Sequence, residues 1–303
     1  MWRSGRPALV VGRPGPPARA TAVGVALAAA TFALTATALV ARRAAAVHEP
    51  PAPAPQPDAG LRGVHVHDVD GHELRGWVAP SVGDGSRWAL ALPGLGSHPL
   101  RHQEIAPGLA VLGYTCLFAA HSAHWPTRRH GFGVRETDEA RAWLRYAAEH
   151  GAQQVVLLGW SFGAFLWLRA LASDDPLPVT VRAVVLTGPL TDWVPTIAHG
   201  VGGGVLGRSL GRAVSVVLAV PGLSRLAGQA APVQLRRPRV TGHAMPLLVV
   251  HSDADRTVPL ATSRALVAAW TGPARLRIVH GARHGAERDV APNGWLDDVS
   301  TTV

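Results

Sequence analysis

Three short stretches carry the residue types that acyl-transfer chemistry requires. The first is Gly159-Trp160-Ser161-Phe162-Gly163, directly after the apolar run Val155-Val156-Leu157-Leu158. The run reads as a buried strand. The pentapeptide reads as a sharp strand-to-helix turn that pushes a serine oxygen out over a sheet edge. Flanking glycines suit such a turn, because the strand and helix backbones pass closely there. A serine hydroxyl is a poor nucleophile at neutral pH. It needs a base within hydrogen-bond reach, and the base needs an orienting carboxylate. The other two stretches supply them: His251-Ser252-Asp253-Ala254-Asp255-Arg256-Thr257-Val258-Pro259 and His280-Gly281-Ala282-Arg283-His284-Gly285. For a nucleophile on such a turn the chain order is serine, acid, histidine. Ser161, Asp255 and His284 follow that order.

Each stretch offers a competitor. Asp253 lies closer to its strand and reads as a turn cap, whereas Asp255 precedes Arg-Thr-Val-Pro, where the loop should turn back across the sheet. Asp192, in Pro189-Leu190-Thr191-Asp192-Trp193, is a fallback acid. His284 follows a Gly-Ala pair that allows a tight loop, and His280 reads as a strand end. Gly207-Arg208-Ser209-Leu210-Gly211 repeats the serine pattern with no strand-like run before it, so Ser209 reads as a helix or loop serine. An oxyanion needs backbone N–H donors aimed at the developing charge. Phe162, just after the serine, offers one. Leu95, in Pro93-Gly94-Leu95-Gly96, offers the other, although that tetrapeptide also suits a plain turn. His121-x-x-His124 has a metal-ligand spacing but sits beside Trp125-Pro126 and reads as loop. No metal or cofactor is called for, because water resolves an acyl-enzyme.

These residues need a scaffold. Val64–His67 and Glu73–Val78 flank Asp70-Gly71 and predict a β-hairpin with a positive-φ turn. Strands are then expected at 88–92, 114–118, 154–158, 181–186, 246–251 and 275–279. Helices are expected around 103–112, 136–150, after Ser161, at 260–270, and near the C-terminus. Alternation of this kind implies an α/β fold: a mostly parallel, doubly wound sheet with an antiparallel N-terminal hairpin and helices on both faces. Ligands in such sheets bind at the carboxyl ends of the strands, where Ser161 falls.

Composition narrows the function classes. All 29 basic residues are Arg, and six of them precede residue 44, where there is no acid. The remainder carries 23 Arg against 20 acidic residues, with no basic stripe interleaved with aromatics, so a nucleic-acid partner is not indicated. Cys116 is the single cysteine and sits in a core-strand setting. Residues Ala20 to Ala41 carry no charge and would span roughly 33 Å as a helix, about one hydrocarbon core. The segment reads as a transmembrane helix or signal anchor, preceded by a basic segment (1–19). A signal peptide cut near Ala44-Ala45-Ala46 is the alternative, and an Ala-rich cytosolic extension a further one. The arginine distribution favours the N-terminus inside and the domain outside. A Pro/Ala-rich linker (42–60), with Pro50–Pro57 as a semi-rigid spacer, leads to a domain at 61–303. An insertion at about 194–240 reads as a lid, as core helix, or as a membrane-touching surface. Oligomeric state is not legible.

Over about residues 62–303 the chain resembles the α/β-hydrolase superfamily, most strongly in Val155–Gly163, Leu248–Arg264 and around His284. More narrowly it looks like bacterial esterase/lipase-like hydrolases of the serine aminopeptidase and Bem46-like type. The acidic start Glu136-Thr137-Asp138-Glu139 and the segment Pro189–Trp193 carry that likeness. Departures are Pro93-Gly94 for the usual His-Gly, Gly163-Ala164 for Gly-Gly, and Ala119–His124 where an acidic or Arg-Gly motif is usual. The resemblance implies a Ser161–Asp255–His284 triad acting on a small-molecule acyl or ester substrate. Peptidase, acyltransferase and a silent binding protein of the same fold are the alternatives.

Overall fold

The computed structural model describes residues 16–46, 60–122 and 129–303. Most of the basic segment, the Pro50–Pro57 spacer and His124 lie outside the described residues. Eight strands form one sheet: β1 (Arg62–His67), β2 (Glu73–Ala79), β3 (Arg87–Leu92), β4 (Thr115–Ala119), β5 (Gln154–Trp160), β6 (Thr180–Thr187), β7 (Leu247–Ser252) and β8 (Ala274–Val279). Their order is β1-β2-β4-β3-β5-β6-β7-β8. β2 pairs antiparallel with β1 and β4, and every other pairing is parallel. Gly71, in the β1–β2 turn, takes the positive φ (79°) that this turn requires.

The central strand β5 is buried from Val155 onward. That is why its sequence is continuously apolar rather than alternating. Its side chains still divide by parity. Val155 and Leu157 join the core on one face, with Trp143 and Trp167, while Val156 and Leu158 join the other, with Leu109 and Trp295. The helices are α1 (Pro16–Ala44), α2 (Ala106–Val111), α3 (Val134–Glu149), α4 (Phe162–Leu171), α5 (Trp193–Gly200), α6 (Gly204–Ala219), α7 (Leu223–Leu226), α8 (Leu260–Ala269), α9 (Glu287–Val290) and α10 (Pro292–Ser300). The single helix expected over 103–112 is instead two pieces. A 3-10 segment, Pro99–Ile105, is broken at His102 (φ −114°, ψ 27°), and α2 follows. Pro107 lies in the first turn of α2, where its missing N–H costs nothing but cannot continue an earlier helix.

The chain runs from β3 out to β4 and then crosses back to β5, so the sheet order reverses between β3 and β5. The loop after Leu92 and the turn at Ser161 therefore meet at a topological switch point.

The C-terminal third of α1 is part of the same core. Leu34, Ala38, Ala41 and Ala45 repeat at three- and four-residue spacing and pack inward, against α6 and α7. The carbonyls at the end of a helix have no partner within it. Here the domain supplies three donors. Arg129 Nη1 reaches Arg42 O at 2.6 Å, His130 Nε2 reaches Ala44 O at 2.7 Å, and the His130 N–H reaches Ala45 O at 3.2 Å.

At the start of α3, Glu136 accepts the N–H groups of Gly131 (2.7 Å) and Gly133 (3.0 Å). Glu139, one turn on, accepts the Ser122 N–H at 2.6 Å. Burial first, and then the charge of Glu136, push the Glu139 carboxyl from the usual 4.5 up to about 7. The folded chain thus holds a proton that the unfolded chain has released, and stability falls as pH rises between about 4.5 and 7, by ~3 kcal/mol. Glu139→Gln keeps an oxygen for the Ser122 N–H and removes this titration. Urea midpoints measured at pH 5 and pH 8 are expected to lie closer together in the variant than in the wild type.

Candidate active site

Ser161 links β5 to α4 with φ 49° and ψ −109°. A non-glycine residue is strained at such angles and keeps them only when its surroundings hold it. The Ser161 N–H donates to Thr187 O (3.0 Å), and its carbonyl accepts from Leu190 (3.1 Å) and Phe165 (3.3 Å). The two flanking glycines are demanded by contact. A Cβ on Gly159 would lie 2.6 Å from Ala164 Cα, and one on Gly163 would run into the Leu92 carbonyl. The turn is fixed by backbone packed on backbone.

His284, in the loop after β8, places Nε2 2.9 Å from Ser161 Oγ and Nδ1 2.6 Å from Asp255 Oδ2. An ionised carboxylate only accepts, so Nδ1 carries the proton and Nε2 faces the serine as an acceptor. Asp255 Oδ1 accepts the N–H groups of Thr257 (2.7 Å) and Val258 (2.9 Å). Burial acts to raise the Asp255 pKa. The hydrogen bonds from His251, His284 and the Val258 N–H outweigh it and hold the carboxyl far below the usual carboxylate range.

The competitors take other places. Asp253 accepts the Gly281 N–H at 2.9 Å and pairs with His280 Nδ1 at 2.6 Å, tying the acid loop to the histidine loop. Ser252 Oγ adds a second tie, to Ala282 O at 2.6 Å. Asp192 caps α5 through the Val194 N–H at 3.0 Å. Ser209 is exposed within α6.

Ser161 and His284 open into a cleft of about 590 Å³. Gly94, Leu95 and Gly96 form one wall. A Cβ on Gly94 would sit 3.0 Å from Ser161 Cβ, a tight contact, so glycine lets this loop lie close to the serine. Leu95 lines the cleft, and Phe162 opens α4, where first-turn N–H groups have no acceptor in their own helix. Trp160 and His102, stacked at 4.3 Å, form part of the lining, and an Arg101–Asp289 ion pair (3.2 Å) lies at the rim. None of the cleft-lining residues comes from 194–240.

Two groups of described residues bring possible metal-ligand atoms within 4.8 Å of one another. In Asp68, Asp70 and His72, the Asp68 carboxylate accepts the Asp70 and His72 N–H groups of the hairpin turn. In Asp255, His284 and Glu287, both imidazole nitrogens already have partners.

No protein-family model matches the sequence, and no curated protein matches it in sequence. The fold does match solved structures. The esterase Pf2001 of Pyrococcus furiosus aligns over 84% of this chain and 97% of its own, with a TM-score of 0.58 and 16% identity. The thermophilic esterase Est2 of Thermogutta terrifontis, solved with butyrate bound, aligns over 80% and 92%, with a TM-score of 0.58 and 18% identity. The α/β hydrolase GrgF of Penicillium aligns over 80% and 97%, with a TM-score of 0.57 and 18% identity. The chain has the α/β-hydrolase fold.

Three residues around this candidate site hold places that the sequence motifs do not assign to them. His251, next to last in β7, is fully buried, its Nε2 at 3.1 Å from Asp255 Oδ2 and 3.2 Å from Val258 O. Both are acceptors, so Nε2 carries a proton, and Nδ1 pairs with Ser263 Oγ at 2.6 Å. His121 puts Nε2 3.1 Å from Pro93 O and so braces the loop that carries Leu95. Glu287 is buried beside His284, with no hydrogen-bond partner for its carboxyl among the described residues, and burial raises its pKa. Position on the strand ends was the available signal for His251. Nothing local distinguishes Glu287.

His251→Phe removes a buried donor to an ionised acid and strands the Ser263 hydroxyl. A loss of about 2 kcal/mol in urea unfolding is expected, together with slower reaction of Ser161 toward an acylating or phosphonylating probe. His251→Gln, which keeps a side-chain N–H, is expected to recover part of both.

Proposed function

We propose that this protein is a serine hydrolase that cleaves a carboxylic ester through an acyl-enzyme. The observation that carries the reading is the unbroken chain of hydrogen bonds from Ser161 Oγ through His284 to Asp255, at 2.9 and 2.6 Å. As Ser161 Oγ attacks the carbonyl carbon, its proton passes to His284 Nε2. Asp255, held ionised by its donors, stabilises the imidazolium and fixes the tautomer. The carbonyl oxygen gains the negative charge and lies toward the N–H groups of Phe162 and Leu95. Collapse expels the alkoxide, which takes the proton from Nε2. Water then enters, its oxygen bonding to the acyl carbon as it gives a proton to Nε2; collapse breaks the bond from that carbon to Ser161 Oγ, which takes the proton back from Nε2, and the carboxylic acid leaves. The cycle uses no cofactor.

The cleft volume is that of a small-molecule site, and the open polar rim suits a compact acyl group. Solved proteins of the same fold that are named esterases agree with this choice of chemistry.

The proposal extends to location. Ala26–Ala44 is a helical stretch long and apolar enough to cross a membrane, with mean hydropathy 1.2. Ala38, Ala41 and Ala45 belong to the domain core, and cutting near Ala44-Ala45-Ala46 would strip that core of a docked helix. This supports an uncleaved anchor over a removed signal peptide, with the domain on the extracytoplasmic side.

Full-length protein, reacted with a fluorophosphonate and mapped by mass spectrometry, is expected to be modified at Ser161. Ser161→Ala abolishes modification and Ser209→Ala leaves it intact. His284→Ala is expected to lower kcat/KM on a short-chain p-nitrophenyl ester by about a thousandfold or more. Folded protein that resists the probe at Ser161 would sink the hydrolase reading in favour of a binding protein.

A further inference from the structure

The segment after Asp192 has an unusual charge record. No Asp or Glu occurs again until Asp253, yet the stretch 194–240 carries Arg208, Arg212, Arg225, Arg236, Arg237 and Arg239. It holds α5, α6 and α7, and it contributes nothing to the lining of the cleft.

α6 is two-faced. Val214, Val217 and Leu218 turn into the core, and Gly207 and Gly211 press against the Ala198 and Val194 carbonyls of α5. The opposite face reads Val205, Ser209, Arg212, Val216, spaced as one outward helical stripe, with Leu206 and Arg208 flanking it. Leu206 is 83% exposed, Val205 73% and Val216 59%. Leu226, on α7 beside Arg225, is exposed as well. Water is a poor solvent for such a surface, and apolar side chains interleaved with arginines match the interface of an anionic bilayer.

The position of α1 decides between a bilayer and another occupant. Its residues 34–45 pack along α6 and α7. All of them but Ala45 lie in the apolar window Ala26–Ala44, whose remaining turns expose Leu27 and Phe32. A helix pressed against the C-terminal half of a membrane span lies within one leaflet, between the headgroups and the acyl chains. We infer that the outward face of α6, with Arg208, Arg212 and Arg225 around it, is a second membrane contact that seats the hydrolase domain on anionic phospholipid. The inference rests on the reading of α1 as a membrane anchor, so the experiment follows both elements.

Cys116 is buried in β4, and burial pushes its thiol up to about 12, so it does not compete for a maleimide. Phe32→Cys, Leu206→Cys, Val216→Cys and Val82→Cys are labelled singly in the full chain with an environment-sensitive fluorophore. Val82, 87% exposed in the β2–β3 turn, is the aqueous reference. Each protein is reconstituted in vesicles of phosphatidylcholine with one quarter phosphatidylglycerol, some of the lipid carrying a spin label high on the acyl chain. The expected result is quenching and a blue shift at Phe32, Leu206 and Val216, and neither at Val82. In the Leu206→Cys background, each of Arg208→Gln and Arg212→Gln is expected to cut the lipid-seated population ratio by about fivefold. Fluorophosphonate labelling of Ser161 is expected to stay intact in these variants. Quenching at Phe32 alone, with Leu206 and Val216 as wet as Val82, would overturn the inference and leave the anchor standing. No quenching at Phe32 would remove the anchor and the inference with it. Labels at Leu206 and Val216 that are shielded from aqueous iodide yet unquenched by lipid would assign the face to a protein partner and overturn it as well.

Discussion

The backbone at Ser161 is the constraint on which the site depends. Its angles are ones that only glycine adopts freely, and the chain holds a serine there by removing the alternatives. β5 delivers the chain at the sheet centre, α4 must start immediately, and Gly159 and Gly163 let α4 sit against β5 and the end of β3 with no side chain between them. The Thr187 carbonyl and the Leu190 N–H hold the peptide on either side of the serine. The outcome is an oxygen fixed within hydrogen-bond reach of a histidine 123 residues away in sequence. The strain at one residue is small beside the burial of β5 and α4, which puts Val155–Leu158 and Phe165–Leu168 out of water.

The second half of the site is organised by cross-ties rather than by strain. Asp253 and His280, which stand close to the strand ends, bond to each other across the β7 and β8 loops. Asp255 and His284 lie further out, where His284 reaches Ser161 with one nitrogen and Asp255 with the other. The competitors are therefore the clamp that sets the spacing of the residues beyond them. His251 completes the arrangement from beneath as a buried donor to the Asp255 carboxylate.

Legibility in the sequence followed this division. Strand positions, the hairpin and the elbow were readable because each rests on a local pattern: period, glycine spacing, a buried apolar run. That Asp255, and not Asp253, is the carboxylate beside His284 was readable from its distance along the loop. The contacts of His251 and Glu287 were not, because they come from β7, α8 and α9 converging in space: a strand-end position marks His251 without naming its partners, and nothing local marks Glu287. The break at His102 was missed because Ala, Gly and Leu around Pro107 mimic a continuing helix. The docking of α1 was also hidden. An Ala-rich run looks the same whether it faces lipid throughout or lends every third or fourth alanine to a protein surface.

That docking joins the two ends of the molecule's chemistry. His130 caps the last carbonyls of α1 through Nε2, so its proton sits there, and Nδ1 accepts the Phe132 N–H at 3.1 Å. Burial lowers its pKa and keeps it neutral. The same ring stacks on Trp193 at 5.5 Å and tilts against Phe162 at 5.4 Å, and Phe162 is the residue that follows the serine. Helix α5, which begins at Trp193, ends near His199, whose Nε2 lies 3.1 Å from the Asp255 carbonyl. A single layer of packed rings and short helices therefore runs from the end of α1 to both sides of the Ser161–His284–Asp255 chain. A tether needs none of these contacts, since it only has to reach. A helix whose final carbonyls are satisfied by the domain, and whose alanines fill the domain core, is a structural part of that domain, and loss of α1 would be felt at Phe162 before it was felt at the surface.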